Sequence, residues 1–219
     1  MDFLDFVRGP ALKVSIAIFV AGVFWRLTAL ALRRRTLDRS LKRPGAPSAL
    51  RGGLRTIFQR MVTRKPFSHD IHVPYLVAHT FHIGLLIIVV LGTPHILFIS
   101  EIIGVRWAGL SKGVIDIVSG ITFGALLLAL FHRLTHPVRR RLSTFDDYLT
   151  WTIVVLPVIT GLLLTSHLGA RYETMLAIHI ATFEILLIWF PFGKLMHAFF
   201  WVSSRGATGA RYSHRGART

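Results

Sequence analysis

The chain has 219 residues, 53% of them hydrophobic, and its mean hydropathy is +0.56. These values exceed those of ordinary soluble domains, and several stretches approach the ~20 apolar residues that cross a bilayer, so the sequence predicts one membrane domain. Cysteine is absent from the sequence, which excludes disulfide bonds, cysteine-bound zinc and an iron–sulfur cluster held by this chain alone.

The net charge of +16 is concentrated beside the apolar stretches. Of the 26 lysines and arginines, eleven lie in residues 33–65, four in 133–141 and five in 194–218. Basic segments next to membrane helices are typical of loops on the cytoplasmic side. The distribution therefore argues against nucleic-acid binding, which the isoelectric point of about 11.6 would otherwise favour.

Five apolar stretches predict five membrane-spanning helices, so the expected fold class is an all-α membrane protein built as a five-helix bundle. Basic segments follow the first, third and fifth stretches, which predicts that the N-terminus lies outside and the C-terminus in the cytoplasm. The expected location is the inner (cytoplasmic) membrane of a bacterium, crossed several times. The predicted ranges are 12–32, 73–100, 112–131, 148–167 and 172–201.

Residues 1–202 are expected to form a single transmembrane domain, which includes the basic connection 33–72. Within this connection, apolar residues recur at spacings of three and four from Leu50 to Val62, with arginines between them. This pattern predicts an amphipathic helix that lies on the anionic lipids of the inner leaflet, or that docks a soluble subunit. Residues 203–219 are rich in glycine, serine and arginine and are predicted to be a flexible basic tail.

Two predicted helices carry charged residues with an expected role. Arg26 lies inside the first helix, where a charge is costly. Its long side chain either reaches the membrane surface or meets a propionate group of a bound cofactor. At the start of the fourth helix, Asp146 or Asp147 is expected to cap the backbone N–H groups of the first turn.

Two histidines of the fifth predicted helix, His179 and His197, are eighteen residues apart. Eighteen residues make about five turns of an ideal helix and rise ~27 Å, so both side chains are predicted to leave one face at two depths of the bilayer. This arrangement suits two stacked haems, because imidazole is an axial ligand of haem iron. Two unrelated polar residues are the alternative, and Pro191 between them is of a type that bends helices.

The second predicted helix supplies matching ligands, since His82 lies near its cytoplasmic end and His95 near its outer end. The second and fifth helices run antiparallel, so the depths predict that His82 pairs with His197. By the same argument, His95 pairs with His179. Two glycines of this helix are expected to let flat porphyrin rings approach the backbone: Gly84 and Gly92.

Parts of both helices resemble the gamma subunit of respiratory nitrate reductases, a dihaem membrane cytochrome b. The run Phe81–Leu85, with Thr93–His95 further on, is similar to the second helix of that family. The run Phe190–His197, preceded by a histidine eighteen residues before its last residue, is similar to the fifth helix. The resemblance covers most of the chain after Val73.

The resemblance implies that His82 and His197 hold the haem nearer the cytoplasm, and that His179 holds the outer haem. This sequence departs from the family at one position. The family's outer ligand on the second helix lies ten residues after the equivalent of His82, where this chain has Gly92, and His95 follows three residues later.

Three readings of the outer haem site therefore stay open. Either His95 ligates the iron after a local adjustment, for which Pro94 is the obvious cause, or the site is altered, or it is absent. On an ideal helix, His95 would point away from the face of His82. His79, at the other depth, is the reserve ligand.

The family's quinol site lies beside the outer haem, near a lysine at the start of the third helix, and Lys112 is similarly placed. The resemblance implies that Lys112 donates a hydrogen bond to a quinone carbonyl; an ordinary interfacial lysine is the alternative. Asp116, one turn further along, is expected to pair with Lys112 and is placed to take part in proton release when quinol is oxidised.

The expected function is electron transfer between the quinone pool and a cytoplasmic iron–sulfur subunit, which would serve a catalytic subunit of a respiratory or sulfur-metabolism complex. The expected cofactors are two haem b groups, or one if the outer site is lost. Electron flow in the reverse direction, towards quinone reduction, is an alternative. A haem-free membrane anchor for soluble redox subunits is another. A small transporter is less favoured, because neither broken helices nor inverted repeats are apparent in the sequence.

Overall fold

The computed structural model describes residues 2–34, 40–61 and 68–217, except for the side chains of 68–71. Parts of the predicted connection 33–72, among them Val62, lie outside the described residues. Within the described ranges the structure is helical and has no strand. The helices are α1 (Phe3–Phe6), a π-helical stretch (Val7–Ala11), α2 (Leu12–Leu32), α3 (Ala49–Gln59), α4 (Ser68–Leu91), α5 (Thr93–Ile103), α6 (Lys112–Thr135), α7 (Pro137–Leu142), α8 (Phe145–Thr165), α9 (Tyr172–Trp189), a 3₁₀ turn (Lys194–Met196) and α10 (His197–His214).

Five helices of the described part of the chain are long and apolar enough to cross a membrane. The expectation of an all-α protein with five such helices is confirmed. The shorter helix α5 is also apolar. The five ranges are Phe3–Leu32, His72–Leu91, Lys112–Thr135, Phe145–Thr165 and Tyr172–Trp189.

The helices group into two compact units. The first unit contains Met1–Phe19 and Val73–Trp189, and the second contains Val20–His72 and Phe190–Thr219. The predicted boundary at residue 202 falls inside α10.

The core of the first unit is formed where α6 and α8 pack together. Leu126 of α6 is buried against Val155 and Val158 of α8, and aromatic and aliphatic side chains of α4, α6 and α8 surround this cluster. The Trp151 indole donates a 2.9 Å hydrogen bond to the Leu126 carbonyl. At the start of α8, Asp147 accepts a 2.9 Å hydrogen bond from the backbone N–H of Thr144, the N-cap residue, in a capping box. The expectation that Asp146 or Asp147 is the cap is wrong, because the helix begins at Phe145, three residues earlier than the sequence predicts.

The second unit is built on the pairing of α3 with α10. Small residues line the contact, so the two backbones approach closely: a Cβ atom on Gly53 would lie 3.0 Å from the Gly206 carbonyl oxygen. The Ser213 hydroxyl also donates to the Pro47 carbonyl at 3.1 Å. Residues 203–214, which the sequence predicts to be a flexible tail, are therefore helical. Gly206, Gly209 and Ser213, three of the small residues that indicated flexibility, lie in the packing surface.

The second predicted helix, 73–100, is broken at Gly92. Helix α4 ends at Leu91, Gly92 is extended (φ −75°, ψ 121°), and Pro94 occupies the first turn of α5. Proline is common in the first turn of a helix, because the N–H groups there have no partner within the helix and proline has no N–H to leave unpaired. The expectation that His95 points away from the face of His82 assumed one continuous helix, so it does not apply.

The fifth predicted helix, 172–201, is also broken. Helix α9 ends at Trp189, the buried Pro191 follows, and a new helix begins at His197. Proline ends a helix because it has no backbone donor and its ring collides with the preceding turn. The expectation that His179 and His197 share one face of a continuous helix is wrong. The expectation of unbroken helices, which weighed against a transporter, is corrected as well.

Candidate functional site

The structure brings two of the predicted ligands together in the first unit. The ring centroids of His95, in the first turn of α5, and His179, in α9, lie 6.2 Å apart, with the ring planes at 37°. Metal–imidazole bonds are about 2 Å long, so two imidazoles on opposite sides of one metal ion have centroids about 6 Å apart. The separation therefore fits two axial ligands of a single iron.

A hydrogen bond to the backbone determines which ring nitrogen of His95 carries the proton and which keeps a lone pair for a ligand bond. Its Nδ1 lies 2.8 Å from the Ile88 carbonyl oxygen, and a carbonyl only accepts, so Nδ1 carries the proton and Nε2 the lone pair. A Cβ atom on Gly92 would lie 2.5 Å from that oxygen and 3.1 Å from His95 Nδ1. Gly92 is thus part of the site because it leaves room for this hydrogen bond.

Helix α8 holds the imidazole of His179. The Thr160 hydroxyl lies 2.8 Å from the Leu156 carbonyl, to which it donates, and 3.1 Å from His179 Nδ1. The hydroxyl has one proton, so His179 Nδ1 donates to it and Nε2 keeps the lone pair. A Cβ atom on Gly161 would lie 3.1 Å from His179 Cε1, so this glycine leaves space for the ring.

The donor set of this pair suits a haem. Ligating histidines usually donate their second ring nitrogen to a carbonyl or another polar group, as both histidines do here. Among the described residues, no three or more His, Cys, Asp or Glu side chains are grouped to hold a bare metal ion. A haem needs only two protein ligands, because the porphyrin supplies the others.

The other two predicted ligands are exposed, and each bonds to a carbonyl three or four residues earlier in the chain. His82 Nδ1 lies 2.7 Å from the Ala78 carbonyl, and His197 Nδ1 lies 2.8 Å from the Lys194 carbonyl. His82 belongs to the first unit and His197 to the second. Their pairing on one iron stays a prediction. The reserve ligand, His79, bonds in the same way to the Tyr75 carbonyl at 2.9 Å.

Two residues predicted to contact a cofactor have protein partners in the structure, and their contact with a cofactor stays a prediction. Gly84 packs closely against Thr122, so its missing side chain lets α4 approach α6. The Arg26 guanidinium lies 5.7 Å from the centroid of the Phe200 ring, a cation–π distance. The structure therefore explains both residues without a porphyrin.

The predicted pair at the start of α6 is present. Lys112 Nζ lies 2.6 Å from Asp116 Oδ2, one helical turn away. The Lys112 side chain is mainly exposed, as expected for a residue near a membrane surface. The pairing is confirmed, and the role of both residues at a quinone stays a prediction.

Sequence reasoning missed Thr160 and Gly161. The sequence feature that could have identified them is a polar residue next to a glycine in the middle of an apolar helix. Such a pair typically indicates that a neighbouring helix packs closely there. The Ile88 carbonyl has no sequence signal, because its availability depends on the break after Leu91.

The fold defines the class of protein: an all-helical chain with five helices able to span a membrane, a multi-pass membrane protein. No family model matches the chain, and no solved structure matches it. The chain is 30% identical over 220 residues to a protein of Nitratidesulfovibrio vulgaris (strain Hildenborough), covering 98% of this chain and 96% of that one. The chain belongs to the same family as that protein, whose name states no activity.

Proposed function

We propose that this chain is a haem b-containing membrane subunit that carries electrons between the quinone pool and an iron–sulfur partner. The observation that carries the proposal is the His95–His179 pair, with centroids 6.2 Å apart. In each ring Nδ1 is engaged in a hydrogen bond, so Nε2 is the nitrogen left to bind iron. Bound haem supplies one-electron redox chemistry, while the chain orients the two imidazoles.

A second haem, nearer the cytoplasm, is proposed for His82 and His197. Its support is the resemblance of the flanking runs to a dihaem cytochrome b and the hydrogen bond that orients each ring. Two haems at two depths would let electrons cross the bilayer. The proposed location is the bacterial inner membrane, with the N-terminus outside and the C-terminus in the cytoplasm. The basic segments support this orientation.

The quinone site is proposed beside the outer haem, at Lys112 and Asp116. The ammonium group can donate to a quinone carbonyl, and the carboxylate beside it can accept a proton that quinol releases. The exposure of Lys112 supports access from the membrane. The direction of electron flow depends on the partner, which is proposed to be a cytoplasmic iron–sulfur subunit that serves a catalytic subunit.

The test is a reduced-minus-oxidised optical spectrum of the purified full-length chain, with haem per polypeptide measured as the pyridine haemochrome. The expected result is two b-type haems per chain. A single haem would restrict the proposal to one of the two histidine pairs. A folded, monodisperse preparation without haem would overturn the proposal in favour of a haem-free anchor for soluble subunits.

A further inference from the structure

We propose that helices α3 and α10 form a surface anchor whose uncovered apolar edge inserts into the headgroup region of an anionic bilayer. The anchor is a preformed unit. Thr56 of α3 is completely buried, and a Cβ atom on Gly209 of α10 would overlap it. The His214 ring bonds to the Ser40 carbonyl at 2.8 Å, which ties the preceding loop to α10. This side of α3 is therefore covered by protein.

A different side of α3 is apolar and uncovered. Three large side chains of α3 recur at spacings of four residues, so they form a single stripe along the helix. A soluble surface rarely keeps such a continuous apolar stripe exposed. The stripe and its exposed fractions are Leu50 73%, Leu54 48% and Phe58 66%.

The charges beside the stripe select an anionic surface. Arg51 and Arg55 are exposed and follow the stripe on its neighbouring side, where their guanidinium groups can reach lipid phosphates. The segments 40–61 and 190–217, which make up most of the described second unit, contain no aspartate or glutamate. Basic residues at an apolar edge are attracted to anionic headgroups, and no acidic residue of these segments opposes that attraction.

Chain connectivity places this anchor beside a membrane. The second unit also contains Val20–Leu32, the last part of the membrane-spanning helix α2. The chain then reaches α3 after a short basic connection, so the anchor cannot move far from the membrane surface. A bilayer is thus the apolar surface that is always within reach, whereas a soluble partner would have to be recruited.

The experiment uses single-cysteine variants, because the chain has no cysteine of its own. Phe58→Cys places a thiol on the stripe, and Gln59→Cys places one on the adjacent exposed position that leaves the helix about 100° away. Each full-length variant is labelled with a fluorophore and reconstituted into vesicles of brominated phosphatidylcholine, with or without phosphatidylglycerol. Size-exclusion profiles establish that both variants fold.

The expected result is that brominated lipid quenches the label at residue 58 at least threefold more than the label at residue 59. Phosphatidylglycerol should increase this difference, and the additional substitutions Arg51→Gln and Arg55→Gln should remove the increase. Equal quenching at the two positions would overturn the anchor and assign the stripe to a protein partner. Strong quenching at residue 58 that is the same with and without phosphatidylglycerol would overturn the selectivity for anionic lipid. Neither readout depends on haem.

Discussion

His179 and His197 are both proposed haem ligands, yet the structure supports them in opposite ways. His179 lies in the interior of α9, and its ring is held by Thr160 and Gly161 of the neighbouring helix α8. His197 is the first residue of α10, and its Nδ1 bonds to the carbonyl of Lys194, three residues earlier. The proposed outer ligand, His179, thus depends on helix packing, and the proposed inner ligand, His197, depends on the local course of the chain.

Packing within the second unit holds the chain in place before His197. Pro191, where the chain leaves α9, is buried, and a Cβ atom on Gly22 of α2 would lie 2.5 Å from its ring. The two regions should therefore respond to different substitutions. A change in α8 should disturb only the outer site, and a change at Gly22 should disturb only the inner one.

The largest effect is expected from Gly161→Val. Its Cβ atom would start 3.1 Å from the His179 ring, and the added methyl groups would push the ring away from the iron position. Haem content should fall from two to one per chain by pyridine haemochrome. The matched control is Gly120→Val, because a Cβ atom at Gly120 meets nothing within 4 Å. If the Gly161→Val variant keeps two haems per chain, the packing of α8 does not position His179 for iron binding.

The reciprocal substitution is Gly22→Val. It should displace Pro191 and shift the start of α10, so the inner haem should be lost from part of the molecules while the outer haem stays. The two haems are distinguished by redox titration, in which one of the two components should lose amplitude. An equal loss of both components would show that the sites are not supported independently.

A smaller effect is expected from Thr160→Val, which keeps the side-chain shape and removes the acceptor of His179 Nδ1. Loss of such a supporting hydrogen bond typically weakens metal binding about 10- to 100-fold. Haem transfer from the outer site to apomyoglobin should accelerate accordingly, and Thr160→Ser should restore slow transfer. The same rate in the valine and serine variants would mean that the hydroxyl does not position the ligand.

The smallest change in stability is expected from Lys112→Met. An exposed ion pair one turn apart contributes about 0.5 kcal/mol or less, so the thermal unfolding temperature should barely move. If Lys112 binds quinone, haem reduction by added quinol should nevertheless slow several-fold. Lys13→Met, at another exposed lysine, is the control. Unchanged quinol-driven reduction would remove Lys112 from the proposed site.

The sequence predicts the five long helices well, because about twenty apolar residues in a row have few other structural solutions. It does not predict where the second and fifth helices break, since an apolar run continues through Gly92 and Pro191. Proline and glycine raise the chance of a break, but prolines also lie inside helices that continue, as Pro74 of α4 and Pro157 of α8 do. The break at Gly92 is what brings His95 to His179, a pairing that depth alone had indicated.

The composition of the C-terminal segment was a weaker guide. Glycine and serine indicate flexibility when nothing packs on them, and close helix packing when a second small-residue surface is present. Gly52 and Gly53 of α3 supply that surface, but they lie about 150 residues earlier in the chain. Thr160 and Gly161 were missed for the same reason, since their role depends on a partner helix.

A double-mutant cycle on haem content tests whether His95 and His179 hold the same haem. Haem per chain is measured for His95→Ala, His179→Ala and the double variant, with His132→Ala as the control. We expect one haem in each single variant and still one in the double variant, because both substitutions remove one shared haem. A double variant without haem, or His95→Ala with both haems, would contradict it.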